Sequence, residues 1–381
     1  MTLYDILRYG YGVFFVVLHI VLMFGLFLEW LRDKKARKQQ TVNHKVSVII
    51  PIHNESHRME GLLRTLLVQS CRAQIIFIDD RSTDESPAML AQFAHDAAQR
   101  GIDCRIITLT ENPGPNRKQF ALSRGITEAN GDYFLYTDGD CEVPPDWVRA
   151  MVCRIQDEKI GAVIGPVFKK KQGKGFFSLY QCYDHAVRYN YLAGATGLGA
   201  AGGGFGNNLI VSRKALDSVG GYDAIPPSPT EDAALISQIR RGGKYCVRAI
   251  TMPDAVVETI SEKTWRSFIN QTLRWNNGGL FSPEVFTRFN YNLLMLIIST
   301  GIIAIPFLPF FSALWPLPAA VIVSMIANNI TIFALFRTKL PKGGILTKLT
   351  YIFFLLFTPA YFTLLTVMGY ARIKTTWKNE N

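Results

Sequence analysis

Three stretches almost without charge decide what this chain can fold into. Residues 11–30 and 291–336 contain no Lys, Arg or Asp and a single acid, Glu29, and residues 349–370 contain no charged residue at all. Each reaches or exceeds the ~20 residues whose helix crosses a bilayer core of ~30 Å. A polar segment separates the first stretch from the others, so 49% hydrophobic and 19% charged residues average to a mean hydropathy of only +0.13. That balance excludes disorder and marks an integral membrane protein with a globular domain.

Met1 to Tyr9 is not a basic leader, and no small-residue cleavage site follows Leu28, so the first stretch is expected to be an anchor rather than a signal peptide. Arg32, Asp33, Lys34, Lys35, Arg37 and Lys38 follow it, and such a basic cluster stays on the cytoplasmic side. Residues from about Lys45 to Asn290 are then cytoplasmic, in a multi-pass protein of the inner (plasma) membrane. The 41 Lys plus Arg against 30 Asp plus Glu, a net +11, serve as a topological address and draw the chain to anionic headgroups at ~1 kcal/mol per residue near the surface. No nucleic-acid partner is expected. The six cysteines show no CxxC spacing, and in a reducing compartment neither disulfides nor structural zinc are expected.

Residues 291–336 are too many for one span and carry Pro309, Pro316 and Pro318 near their middle, which predicts a hairpin of two helices. Arg337, Lys339, Lys342 and Lys348 return the chain to the cytoplasm. A further span over 349–370 would leave Arg372, Lys374 and Lys378 outside, against the positive-inside rule. Either the tail is an exception, or Pro359 marks a re-entrant or interfacial segment.

In the central segment, strand and helix patterns alternate. Strands are expected at Val46–Ile52, Gln74–Ile78, Cys104–Leu109 and Tyr133–Tyr136, and helices at Asn54–Gln69, Ser86–Gln99, Arg117–Glu128 and Trp147–Gln156. Such a series builds a parallel α/β sheet with helices on both faces, whose ligands bind outside the carboxyl ends of the strands. Carboxylates stand at those ends: Asp79, Asp80 and Asp84 after one strand, Asp138 and Asp140 after another. Acids gathered there need a cation or hydrogen-bond donors. Asp138-Gly139-Asp140 lets two carboxylates converge around a glycine, as suits Mg²⁺ or Mn²⁺ bridging a diphosphate, although an Asx-type turn has the same pattern.

Further motifs follow in order: Pro51, Asn54 and Glu55 (PxxNE), Asp79 to Asp84 (DDxSTD), the DxD, Thr230-Glu231-Asp232 (TED), and Gln271, Arg274 and Trp275 (QxxRW). In this ordered set, over roughly residues 45–280, the chain resembles the glycosyltransferase family 2 enzymes in their membrane-bound branch, which includes cellulose, hyaluronan and chitooligosaccharide synthases and ceramide glucosyltransferases. The resemblance implies a GT-A (Rossmann-like) nucleotide-sugar-binding domain inserted between transmembrane helices. The expected division is an anchor over 1–31, the GT-A domain over 45–260, interfacial amphipathic helices over 261–290 and a transmembrane region over 291–372.

The resemblance also implies roles. Pro51, Asn54, Glu55, Asp79, Asp80, Lys118, Asp138, Asp140, Gln271 and Arg274 would bind the nucleotide sugar. Asp80 would meet base and ribose, Asp140 with Asp138 would hold Mg²⁺ or Mn²⁺, and Asn208 and Trp275 would meet the acceptor. Asp232 would be the catalytic base, with Glu231 beside it adding like charge that raises its pKa. The same residues admit simpler readings: a solvated helix-face Lys118, Thr230 as an N-cap before first-turn acids, and Trp265, Phe268, Leu273 and Trp275 as an interfacial aromatic belt. The glycines at 202–204 and 206 fit either a mobile loop by the acceptor or close backbone packing.

The implied activity is inverting transfer of a sugar, from a UDP-sugar by expectation, to a membrane-associated lipid or glycolipid. The alternative is a processive synthase of a β-linked glycan. Transporters usually carry ionisable residues inside the membrane, and the C-terminal stretches hold no Asp, Glu, Lys, Arg or His, Asn328 and Asn329 being polar but uncharged, which argues against that class.

Overall fold

The computed structural model describes residues 3–38, 44–111, 116–173, 175–225 and 230–374, with side chains from Tyr9 onward; Lys378 lies outside the described residues. The chain divides into an α/β unit, Leu26–Lys170 with Ala195–Ile260, and a helical unit, Met1–Gly25 with Lys171–Gly194 and Ser261–Asn381. The division therefore differs from the contiguous one expected: the last turns of the first helix, α1 (Leu3–Ala36), group with the α/β unit, and residues 171–194 group with the helices.

In the α/β unit, β1 (Val46–Ile52), α2 (Glu60–Leu66), β2 (Gln74–Asp79), α3 (Ser86–Gln99), β3 (Cys104–Thr108), α4 (Arg117–Thr127) and β4 (Tyr133–Tyr136) follow the predicted alternation. Helix α2 is much shorter than the expected 54–69. Asn54 sits at φ +52, and the amides of Asn54, Glu55 and Ser56 donate to Ser82 Oγ, Ser86 Oγ and Asp84 Oδ2 at 2.9–3.1 Å, so the loop after β1 is tied to the loop after β2 instead of winding into helix. Next come β5 (Cys141–Glu142), α5 (Trp147–Ile155), β6 (Ile160–Ile164), β7 (Val167–Lys169), α6 (Phe176–Gly197), β8 (Leu209–Ser212), α7 (Arg213–Ser218), α8 (Glu231–Arg241), β9 (Cys246–Ala249) and β10 (Val257–Thr259).

The main sheet runs β3-β2-β1-β4-β8-β6-β9, and β5-β10-β7 form a small second sheet. Strands β1 to β4 are parallel, but β8 lies antiparallel to both β4 and β6, which corrects the expected all-parallel sheet. Every residue of β8 is buried, and a strand covered on both faces carries no alternation from which its direction can be read. The reversal matters for the site. Leu209 opens β8 beside Tyr136 at the end of β4, so the segment before β8 arrives at the same sheet edge as the carboxyl ends of β1, β2 and β4. One core beneath this edge gathers Ile50, Phe77, Leu135, Trp147, Met151 and Ile210, each 0% exposed.

The end of α1 is fastened to this unit by buried charge. Arg154 of α5, its side chain 4% exposed, pairs with Glu29 and with Asp33 (Nε to Oδ1, 2.9 Å). Asp33 Oδ2 accepts from both the amide and the hydroxyl of Thr251 at 2.6 Å, and Arg32 donates to Glu29 at 2.9 Å.

The helical unit holds α9 (Trp265–Leu280), α10 (Val285–Ala304), α11 (Pro316–Phe336) and α12 (Ile345–Tyr370). Among the described residues four helical segments, Tyr9–Ala36, Val285–Phe307, Ser312–Phe336 and Ile345–Tyr370, are long and apolar enough to cross a membrane. The predicted hairpin is α10 and α11, and α12 continues without a break through Pro359. The expected aromatic belt is in part a packed cluster: Phe268 is 0% exposed and stacks on Tyr361 at 5.8 Å, and Trp265 lies 4.5 Å from Phe177. Asn328, also 0% exposed, accepts from Asn190 at 2.8 Å.

Removing Arg154 leaves buried Asp33 without its counter-charge and Glu29 with Arg32 alone. Arg154→Ala is expected to cost about 3–5 kcal/mol, visible as a clear fall in the thermal unfolding midpoint of the detergent-purified protein. An unchanged midpoint would contradict this account of the junction.

Candidate active site

The edge that collects β1, β2, β4 and the start of β8 is crowded with acids, and each is handled differently. Asp79 and Asp80, 3% and 4% exposed, end β2. Asp79 Oδ1 accepts from the Ser82 amide at 3.1 Å. Arg81, at φ +56, turns back so that Nε and Nη2 both reach Asp80 Oδ1, at 2.8 and 2.7 Å, leaving Oδ2 open. Neither acid lies on the first turn of α3, which begins at Ser86. Pro51 is the penultimate residue of β1, and the Asn54 side chain accepts from the Thr83 amide at 2.8 Å, so the PxxNE and DDxSTD segments form one interlocked pair of loops.

Glu55 pairs with Arg58 at 2.5 Å, while its Oε2 is buried without a hydrogen-bond partner. Burial pushes its carboxyl up to about 7, Arg58 opposes the shift, and the charges of Asp140 and Asp138 add to it. Gly139 makes that proximity possible: a Cβ there would stand 2.8 Å from Ile52 Cδ1 and 3.1 Å from Glu55 Cγ.

Lys118 is the centre of the site. Its Nζ donates to Asp138 Oδ1 at 2.7 Å and lies 3.5 Å from Glu231 Oε1. Burial disfavours the ammonium form, but Asp138 and Glu231 more than compensate and hold the lysine charged, above its ordinary value. It is therefore not a solvated helix-face lysine. Its position is set by the next residue, buried Gln119, whose Nε2 donates to the Tyr222 and Ile225 carbonyls at 2.7 Å, with Asn116 capping α4 through the Gln119 amide.

Asp232 sits in the first turn of α8, where Thr230 makes no side-chain capping bond. Asp232 Oδ2 accepts from the Gly206 amide and Oδ1 from the Ala233 amide, both at 2.7 Å. A Cβ at Gly206 would fall 3.1 Å from Oδ2, so glycine permits the approach. Burial raises this carboxyl to about 6 and the charge of Glu231 adds to the shift, while Lys118 and the two amides pull it down. Gly204 is packed closely too, a Cβ there falling 2.4 Å from Ile236 Cδ1, whereas Gly203 faces open space. Carboxylates have about four lone-pair sites, so Asp232 keeps capacity for a hydroxyl donor.

Asn208 is a correction. It is 0% exposed, its Oδ1 accepts from Trp147 Nε1 at 2.9 Å, and its Nδ2 donates to the Pro166 and Ala255 carbonyls at 2.8 Å. Every polar atom of its side chain is used inside the protein, so it braces the floor and does not meet an acceptor. Gln271, Arg274 and Trp275 share one face of α9 in the helical unit and are half-buried, with Trp275 edge-on to His185 at 5.2 Å.

Among the described residues no three His, Cys, Asp or Glu side chains converge as a metal cage. The donors present fit a cation completed by its ligand. Asp138 is already neutralised by Lys118, whereas Asp140 has no cationic partner among the described residues and accepts only from the Cys141 thiol at 3.8 Å. One free hard carboxylate with open positions around it suits Mg²⁺ or Mn²⁺ held jointly with a diphosphate.

Comparison with known proteins adds to this geometry. Residues 47–220 match the family model described as glycosyl transferase family 2. Over those residues the chain is similar to the family 2 glycosyltransferases. A β-monoglucosyldiacylglycerol synthase of Nostoc sp. (strain PCC 7120 / SAG 25.82 / UTEX 2576) is 24% identical over 69% of this chain and 57% of its own length. A poly-β-1,6-N-acetyl-D-glucosamine synthase of Staphylococcus aureus (strain COL) is 26% identical over 74% of this chain and 68% of its own. The mannosyltransferase PcManGT of Pyrobaculum calidifontis, solved with GDP-Man and Mn²⁺, shares the fold with a TM-score of 0.55 at 18% identity, over 96% of this chain and 100% of that one. The chain spans less than two thirds of the length of the first curated relatives it matches.

In the base role that the sequence resemblance implies, Asp232, raised to about 6, would act when deprotonated, so kcat/KM should fall tenfold per pH unit below about 6. In Lys118→Met the positive charge that pulls Asp232 down is lost, and the acid limb should move to higher pH. A limb that stays in place would separate Lys118 from the base.

Proposed function

We propose that the protein transfers one sugar from a nucleotide sugar to a membrane-associated lipid or glycolipid, with inversion at C1. The observation that carries this reading is Asp232, a carboxylate fixed by two backbone amides and raised to about 6, next to Glu231, which Lys118 ties to the DxD turn. The acceptor hydroxyl gives its proton to Asp232 as its oxygen attacks C1, and the bond from C1 to the diphosphate breaks on the opposite face. One displacement turns an α-linked donor into a β-linked product. Proton transfer to such a base contributes typically 10²- to 10⁴-fold.

Asp80 Oδ2, open beside its Arg81-bound partner oxygen, is assigned to the base or ribose. Asp140, with Asp138 beside it, would hold Mg²⁺ or Mn²⁺, which when bound neutralises charge on the diphosphate. Lys118 steadies Asp138 and Glu231 throughout. The roles of Gln271, Arg274 and Trp275 toward diphosphate and acceptor rest on the motif. The relative that makes monoglucosyldiacylglycerol supports a lipid acceptor, and the structure solved with GDP-Man and Mn²⁺ supports a metal and leaves guanosine as well as uridine donors open. The relative that makes a β-1,6-linked polymer supports the processive alternative. The basic cluster after the first apolar stretch supports a cytoplasmic catalytic domain in the inner (plasma) membrane.

Native membranes supplied with radiolabelled UDP- and GDP-sugars should yield a lipid one sugar heavier by mass spectrometry, with a β linkage by NMR. A ladder of sugars would select the synthase, and an α linkage would reject the single displacement. Asp232→Asn should lower kcat by ~10² or more with donor affinity little changed. Excess EDTA and Asp140→Asn should each abolish turnover of the folded protein, and full activity in EDTA would remove the metal from the scheme.

A further inference from the structure

Helix α12 has the length and apolarity of a span, yet its neighbours within the helical unit hold it in a different attitude. Helices α10 and α11 form an antiparallel hairpin in which Gly301 faces Val321 and the Leu317 carbonyl, the latter 3.0 Å from where a Cβ would stand. Helix α11 runs parallel to α1: Gly12 faces Pro316 and Ala320, and further along Thr331 Oγ1 lies 3.5 Å from Met23 Sδ. The end of α11 and the start of α10 therefore lie on the side toward which α1 runs, the side that carries Arg32 to Lys38.

Both ends of α12 meet that same side. Near its start, Tyr351 donates to the Pro341 carbonyl at 3.1 Å and lies edge-on to Phe333 at 5.2 Å, three residues before α11 ends. Near its finish, Tyr370 hydrogen-bonds Asn292, seven residues into α10, and packs edge-on to Phe281 at 6.0 Å. Between them Asn276 of α9 donates to the Leu365 carbonyl at 3.1 Å and accepts from Tyr291 at 2.9 Å. From Tyr351 to Tyr370 the axis advances ~28 Å, while the partners shift in depth by only ~8 Å along the hairpin. A helix crossing beside α10 would carry Tyr370 to the far turn at 305–315.

We infer that α12 does not cross the membrane but lies in the plane of the leaflet on the α1 C-terminal side, which is the cytoplasmic leaflet under the orientation proposed above. Its occupant there is lipid. Leu349, Ile352, Phe353, Leu356, Leu364 and Val367 form an exposed apolar stripe, while Phe354, Tyr361, Phe362 and Leu365 of the opposite face are buried. Lys342 and Lys348 precede the stripe and Arg372 and Lys374 follow it, so cations flank the apolar face at both ends as an anionic headgroup layer requires. The second face is covered by protein instead of water, so both faces are apolar and the composition imitates a span. With α12 in plane, the membrane is crossed by α1, α10 and α11, and the basic tail stays on the side the positive-inside rule demands.

The test uses three full-length chains carrying one epitope tag: appended after Asn381, inserted between Gly343 and Gly344, or inserted between Ser312 and Ala313. Protease is added to sealed inside-out vesicles, and each chain is checked for sugar transfer. The C-terminal tag should be cleaved together with the 343–344 tag, while the 312–313 tag is protected until detergent is added. Protection of the C-terminal tag together with the 312–313 tag would overturn the inference, whatever the sugar assay reports. In the same vesicles a photoactivatable phospholipid should label the peptide spanning Leu349–Val367. Cross-linking of that peptide to a second copy of the chain, without lipid label, would reject the leaflet as its occupant.

Discussion

One ammonium group holds the site together. Parallel strands deliver their chain ends to a common edge, and here those ends bring acids from β1, β2 and β4, joined by two more from the start of α8. Left alone these charges would repel one another and splay the loops. Lys118 lies between Asp138 and Glu231 and balances the two segments that must cooperate, the turn expected to meet the diphosphate and the helix start that carries Asp232. Its own backbone is fixed by Gln119 on the 222–225 segment, so the position of the charge is inherited from a neutral neighbour.

A second buried cation serves the same purpose elsewhere in the unit. Arg154 accepts the Glu29 and Asp33 carboxylates of α1 into the α/β core, and Thr251 saturates the remaining oxygen of Asp33. From the sequence Glu29 is an oddity in an apolar stretch and Asp33 a stray acid in a basic cluster. They sit four residues apart on one helical face, which is the spacing a single guanidinium can bridge.

Most strands and helices of the α/β unit were legible because their apolar periods are strong and their turns are marked by glycine and aspartate. The direction of β8 was not, since uniform burial erases alternation. The shortened α2 was hidden because the amides of 54–56 are spent on side chains some thirty residues away. Asp138, Asp140, Glu231 and Asp232 could be named from spacing and motif, but Gln119, Gly206 and Arg81 matter through partners distant in sequence or through an unusual backbone angle. Asn208 misled for the complementary reason: a polar residue in a motif-rich loop looks functional until its amide is found fully engaged by Trp147, Pro166 and Ala255.

The pocket carries its own counter-ions. Asp80 is held by Arg81, Glu55 by Arg58 and Asp138 by Lys118, each pairing internal and each within one short stretch or one lysine's reach. Asp79 and Asp140 have no cationic partner among the described residues and Glu231 shares Lys118 with Asp138, so the proposed diphosphate would meet residual negative charge and would need a cation to enter with it. Cation and nucleotide would then each bind more tightly in the presence of the other, by the same factor in both directions.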